Sequence, residues 1–130
     1  MAAQSGWDDG KIYATIEMMV EIREYRDHDG HNPFREWTDA LDFAAAQKVA
    51  KAVYRMGQGN FSNVKSVGGG VHECKIHFGP GYRVYFGKDG EEIVILLGGG
   101  TKQRQQNDIV RALGRWEDYK QRKQQRKEEE

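Results

Sequence analysis

The chain of 130 residues has one cysteine, two prolines, no net charge and no long apolar run, and each shortage excludes something. A lone Cys74 leaves no disulfide framework and no cysteine-based zinc site. The longest apolar stretch, Ile93–Leu97, falls far short of the roughly 18 residues that cross a bilayer, so no membrane association is expected. Twenty basic and twenty acidic side chains cancel, which argues against a generic nucleic-acid glove. The opening residues MAAQSGWDDG contain neither the basic nor the apolar region of a secretory leader. The expected location is a reducing compartment, the cytoplasm.

What remains is enough for one core. Hydrophobic residues make up 38% of the chain and aromatics 11%, a composition that folds rather than staying disordered. The expected organisation is a loose polar arm at 1–11, a single domain at 12–123 and a charged tail at 124–130. The cancelling charges are segregated. Residues 1–60 carry 7 basic and 10 acidic side chains, residues 61–127 carry 13 and 7, and Glu128, Glu129 and Glu130 close the chain. The second half is a basic module masked by acidic flanks, a hint of an anionic partner.

Hydrophobic periodicity orders the elements. Ile12, Ala14, Ile16, Met18, Val20 and Ile22 alternate with mostly polar residues, which predicts a strand, firmest at 15–24. Asn32-Pro33 reads as a helix cap followed by proline at the first helical position. Phe34, Trp37 and Leu41 give that helix a buried stripe to about residue 42. Asp42 caps a second helix whose stripe is Phe43, Ala46, Val49, Ala50 and Val53, ending at Gly57 and Gly59. Residues 60–70 read as loop. Strands are expected at 71–78, 82–87 and 93–97, the last buried on both faces at mid-sheet because its apolar run does not alternate. Gly98, Gly99 and Gly100 are expected to end it. A final helix over about 104–123 buries Ile109, Leu113 and Trp116. The fold class is α+β: strand, two helices, a three-stranded meander and a C-terminal helix around a mostly antiparallel sheet.

Parity within the meander places the chemistry. Cys74, Ile76 and Phe78 share one face with Tyr82, Val84 and Phe86, while Glu73, Lys75, His77, Arg83 and Tyr85 share the other. A three-residue turn at 79–81 keeps the apolar sets together and sets His77 opposite Arg83 and Lys75 opposite Tyr85. The result is one polar patch, exposed on the face away from the core. Lys65 enters it from the preceding loop and Lys102 from beyond the glycine run.

The run VKSVGGGVHECKIHFGPGYRVYF, then IVILLGGGTK, then the helix Gln105–Trp116 resemble the RelE/ParE superfamily of type II toxin–antitoxin toxins. Within it the chain is most similar to the HigB-like branch of addiction-module killer proteins, from about Ile16 to Tyr119. The resemblance implies a RelE-like fold and an endoribonuclease that cleaves messenger RNA, in several relatives on the ribosome. It also implies silencing by a cognate antitoxin, with no cofactor and no metal. Carried over by position, the basic residue before the glycine loop is Lys65. Glu73 and Lys75 form the acidic-x-basic element, Arg83 is the arginine of the Tyr-Arg-Val run, and Lys102 is the basic residue after the last strand.

These residue types suit RNA cleavage. Arg83 offers a planar fork for two phosphate oxygens. Lys65 and Lys102 suit flanking phosphates, Glu73 or His77 proton transfer, and Lys75 the RNA backbone. Tyr82 or Tyr85 offers a ring on which a base stacks. An exposed Arg83 would contribute at most about 1 kcal/mol to folding, so Arg83→Ala is expected to leave the melting temperature nearly unchanged. Two other readings of the same residues stand beside this one: a ParE-like topoisomerase (gyrase) poison without nuclease activity, and a non-catalytic binding module whose Glu73–Lys75–Arg83 set is a cross-strand ion ladder. His28 and His31 with Asp27 and Asp29 read as a hydrophilic turn rather than a metal site.

Overall fold

Asn32 and Asp42 start two helices as their residue types require. The Asn32 side chain accepts from the Arg35 backbone N–H, and the Asp42 carboxylate accepts from that of Ala45. In the computed structural model, which describes residues 19–130, these helices are α1 (Pro33–Asp39) and α2 (Phe43–Gly57). The strands are β1 (Glu21–Glu24), β2 (Val64–Gly68), β3 (Val71–Ile76), β4 (Tyr82–Asp89) and β5 (Ile93–Thr101). A 3-10 turn at Lys102–Arg104 leads into α3 (Gln105–Glu129). The arm at 1–11 and the alternating positions from Ile12 to Met18 lie outside the described residues.

Among the described residues the strands form one five-stranded sheet in the order β1-β5-β4-β3-β2, antiparallel except where β1 runs parallel to β5. The protein is therefore α+β with a mostly antiparallel sheet, as its periodicity predicts. β5 lies between β1 and β4, and Val94, Ile95, Leu96 and Leu97 are all buried. Helices cover both faces. On one, α1 and α2 pack Phe34, Ala45, Val49 and Met56 against Cys74, Ile76, Tyr82, Val84 and Phe86. On the other, α3 lays Ala112 and Trp116 on Val71, Tyr85, Ile95 and Leu97. Trp116 crosses the backbone of β4 at Gly87, where a Cβ would overlap its ring.

Four expectations need correction. Residues 60–70 are not all loop, because Val64–Gly68 is the edge strand β2, with a register irregularity between Ser66 and Gly68. That bulge and the exposed Lys65 and Ser66 hide its alternation. The glycine run does not end the last strand: β5 continues through it to Thr101, because its partner β4 supplies the ladder that glycine's propensity would not. The final helix does not stop at 123 but continues to Glu129. Phe43, placed in the buried stripe of α2, is 76% exposed; it is the first residue of that helix and precedes the turn that meets the sheet.

Candidate functional site

The β3–β4 hairpin keeps the parity read from the sequence but not its register. Ile76 pairs with Tyr82, Cys74 with Val84, and Lys75 with Arg83. The connection is five residues, 77–81, closed by the Gly81 N–H donating to the Phe78 carbonyl. A shift of two residues leaves every side chain on its face, so the apolar argument could not detect it. His77 consequently sits in the turn rather than opposite Arg83, and Glu73, not Lys75, faces Tyr85.

The second correction concerns burial. The face away from α1 and α2 is not exposed, because α3 covers it. Glu73 and Tyr85 have 0% relative exposure and Arg83 has 7%. Glu73 therefore cannot touch a substrate as base or acid, and Tyr85 cannot stack a base. Tyr82 is also held in the core, at 8%, with its ring against Trp37. Burial and the nearby Glu73 carboxylate push the Tyr85 hydroxyl well above its ordinary range.

What the fold builds is a buried carboxylate with cations around it. Arg83 Nε lies 3.3 Å from Glu73 Oε2, and Lys65 Nζ, on the paired strand β2, lies 3.9 Å from Oε1. Gln105, in the first turn of α3, donates from Nε2 to Glu73 Oε2 at 2.6 Å. The next inward position, Asp108, sets its carboxylate over Gly100, the β5 partner of Arg83, where a Cβ would collide with it. Arg111 Nη1 lies 3.4 Å from Asp108 Oδ1. Four atoms of this group, Glu73 Oε1, Arg83 Nε, Tyr85 Oη and Asp108 Oδ2, are buried with no hydrogen-bond partner among the described residues. Buried polar atoms without a partner at one spot call for an explanation, of which a bridging water or a functional role is one.

The far end of Arg83 reaches a pocket. A cavity of about 150 Å³ is lined by Lys75, Ile76, His77, Gly81, Tyr82, Arg83 and Lys102. A Cβ at Gly81 would meet Lys102 Cβ at 3.6 Å and Arg83 Nη1 at 3.9 Å, and the Lys102 N–H donates to the Gly81 carbonyl at 3.0 Å. His77 and Lys102 are exposed and Lys75 half-buried. Five of the residues singled out by sequence, Lys75, His77, Tyr82, Arg83 and Lys102, thus line one pocket, Tyr82 from the core side. Lys65 stays on the outer side of Glu73.

Gln105 and Asp108 were not foreseen. Their signal was legible: they occupy inward positions one turn apart at the start of an amphipathic helix, where Ala112 and Trp116 continue the same face. A polar start to an apolar stripe marks what the stripe's first turn covers. Beyond the C-terminal end of β1, Asp27 Oδ1 accepts from the backbone N–H groups of Asp29 and His31, which is the hydrogen bonding of a turn.

No helix among the described residues is long and apolar enough to cross a membrane. No family model matches the chain. An uncharacterized protein of Haemophilus influenzae is 40% identical to it over 80 residues, which span 61% of this chain and 81% of that protein.

Proposed function

We propose that this chain, which belongs to one family with the uncharacterized Haemophilus influenzae protein, is the toxin of a toxin–antitoxin module and cleaves messenger RNA on the ribosome. The observation that carries the reading is the convergence of Lys75, His77, Arg83 and Lys102 on a single small pocket. An arginine, two lysines and an imidazole around one small cavity match the demands of transesterification at an RNA phosphate. The ribose 2′-oxygen bonds to phosphorus, the bond to the 5′-oxygen breaks, and a 2′,3′-cyclic phosphate is left. One proton leaves the 2′-hydroxyl and one is given to the departing 5′-oxygen. Arg83, with Lys75 and Lys102, holds the phosphoryl oxygens as negative charge grows on them. His77, on the rim, is the side chain of the pocket that takes the 2′-hydroxyl proton, and water protonates the departing 5′-oxygen. Glu73 acts from behind, by fixing Arg83.

The cognate antitoxin is proposed as an acidic or amphipathic segment that covers these cations. Purified protein added to translating ribosomes should produce new, mappable 5′ ends in the translated message. Intact message together with inhibited DNA supercoiling by gyrase would replace this reading with the ParE-like one, and neither effect would leave a binding module.

A further inference from the structure

Two cations of the pocket, Arg83 and Lys102, are tied to the same short turn. Lys102 begins the 3-10 turn Lys102–Arg104, and Gln105 follows it as the first residue of α3. The turn is pinned twice, by the Lys102 N–H on the Gly81 carbonyl and by Gln105 Nε2 on Glu73 Oε2. The second pin falls on the same carboxylate oxygen that faces Arg83 Nε at 3.3 Å. Arg83 has little else to set its direction. Its Nε lacks an aligned hydrogen-bond acceptor among the described residues, and its Nη1 end opens toward Gly81 and the pocket.

We infer that Gln105 is a positioning residue: it fixes the rotamer of the buried Glu73 carboxylate and thereby aims the Arg83 guanidinium into the pocket, in register with Lys102. The inference rests on the pocket being the phosphate site. A carboxylate with 0% exposure is held only by the groups it touches, and a neutral amide donor orients it without neutralising its charge toward Arg83 and Lys65. Glutamine therefore does what a lysine or arginine at 105 would not: a third cation there would compete with Arg83 for the same oxygen.

The test uses the full chain with Gln105→Met and Gln105→Glu. Gln105→Met keeps the length and removes the donor. It should lower kcat for RNA cleavage on the order of 10- to 100-fold, the usual cost of misaiming a catalytic group, with KM unchanged. The NMR chemical shift of the Arg83 Nε–H, which lies 3.3 Å from Glu73 Oε2, should move in the same variant as the carboxylate turns. Gln105→Glu places a second carboxyl against Glu73, beside Lys65, Arg83 and Tyr85. Two carboxylates in contact share one proton, so in acid the protonated side chain restores the donor. As pH rises the pair loses that proton and activity should fall, a pH dependence that a role in folding alone would not create. An Arg83 Nε–H signal unchanged in Gln105→Met overturns the inference. If the parent cleaves no RNA while that signal moves in the variant, the positioning role stands and the ribonuclease reading fails.

Discussion

Glu73 has no exposed surface and Arg83 has almost none, yet both carry charge beneath a helix. Burying a carboxylate costs several kcal/mol, which a close cation and added hydrogen bonds offset only while all of them are in place. Removing Arg83 would leave Glu73 with Gln105 and a lysine at 3.9 Å. Arg83→Ala should therefore destabilise the fold by about 3–5 kcal/mol, read as a lowered urea midpoint. That reverses the effect expected for an exposed arginine. Arg83→Lys keeps the charge beside Glu73 and should retain much of the stability, but it loses the planar fork and with it most of the phosphate binding. A melting temperature unchanged in Arg83→Ala would mean that Glu73 is solvated. Parity in the sequence assigned these residues to the correct face. It could not say that α3 lies on that face, because a strand's alternation tells which residues face together and not what faces them.

At the scale of elements, α3 decides whether the site exists, since it supplies Gln105 and Asp108 and covers Tyr85. Its grip on the sheet has an apolar centre and two polar clamps. Trp116 is 5% exposed and lies across β4; Trp116→Ala should cost about 3–5 kcal/mol in equilibrium unfolding, and a loss below about 1 kcal/mol would mean the helix is detached. In one clamp the Tyr25 hydroxyl donates to Asp118 Oδ2 at 2.6 Å, with Arg122 on the same oxygen. In the other the Tyr119 hydroxyl donates to Asp89 Oδ2 at 2.7 Å, and Lys123 pairs with the same carboxylate. The Tyr25 hydrogen bond, with Arg122, holds Asp118 below its usual range, and Lys123 with Tyr119 does the same for Asp89. Burial and the facing carboxylates push both tyrosines up to about 12. The signs differ. Lowered carboxylates stabilise above their unfolded value of 3.8, and that contribution disappears as pH falls through the lower folded value. Raised tyrosines stabilise below their unfolded value of 10.0, and that contribution is lost as pH climbs from there toward about 12. Trp116 fluorescence should follow both losses, and Tyr25→Phe should weaken the alkaline one at a cost of about 1–2 kcal/mol near neutral pH. The stripe of α3 was legible in the sequence, because Ile109, Leu113 and Trp116 keep helical spacing. The clamps were not, since each joins residues far apart in the chain through side chains that read as ordinary surface.

For the molecule as a whole, a net charge of zero conceals a local excess. The ends of β3 and β5 and the start of β4 meet at one pole, together with the start of the 25-residue helix α3. That pole gathers Lys75, Arg83 and Lys102 around one cavity, and the helix N-terminus adds its partial positive charge. The acids at this pole, Glu73 and Asp108, lie beneath α3 and face Arg83, Lys65 and Arg111, so the exposed Lys102 and half-buried Lys75 dominate what an approaching anion meets. Among the described residues of the first half, acids lie elsewhere, in turns and in pairs such as Glu24 with Arg35 and Glu21 with Arg23. Sequence composition showed the segregation of charge along the chain but not this spatial separation, which depends on three strand ends closing on one turn. RNA binding at such a pole should release counterions. With three phosphate-facing cations, the logarithm of the binding constant for single-stranded RNA should fall against the logarithm of salt concentration with a slope of about −2. Lys102→Ala removes an exposed cation that makes no ion pair among the described residues, so it should leave folding intact and make the slope shallower by about 0.7. Lys120→Ala, on the helix far from the pocket and paired with Glu117, should leave the slope unchanged. Fluorescence anisotropy of a labelled oligonucleotide over a salt series would measure all three slopes. Equal slopes for the parent and Lys102→Ala would show that the anion binds somewhere other than this pole.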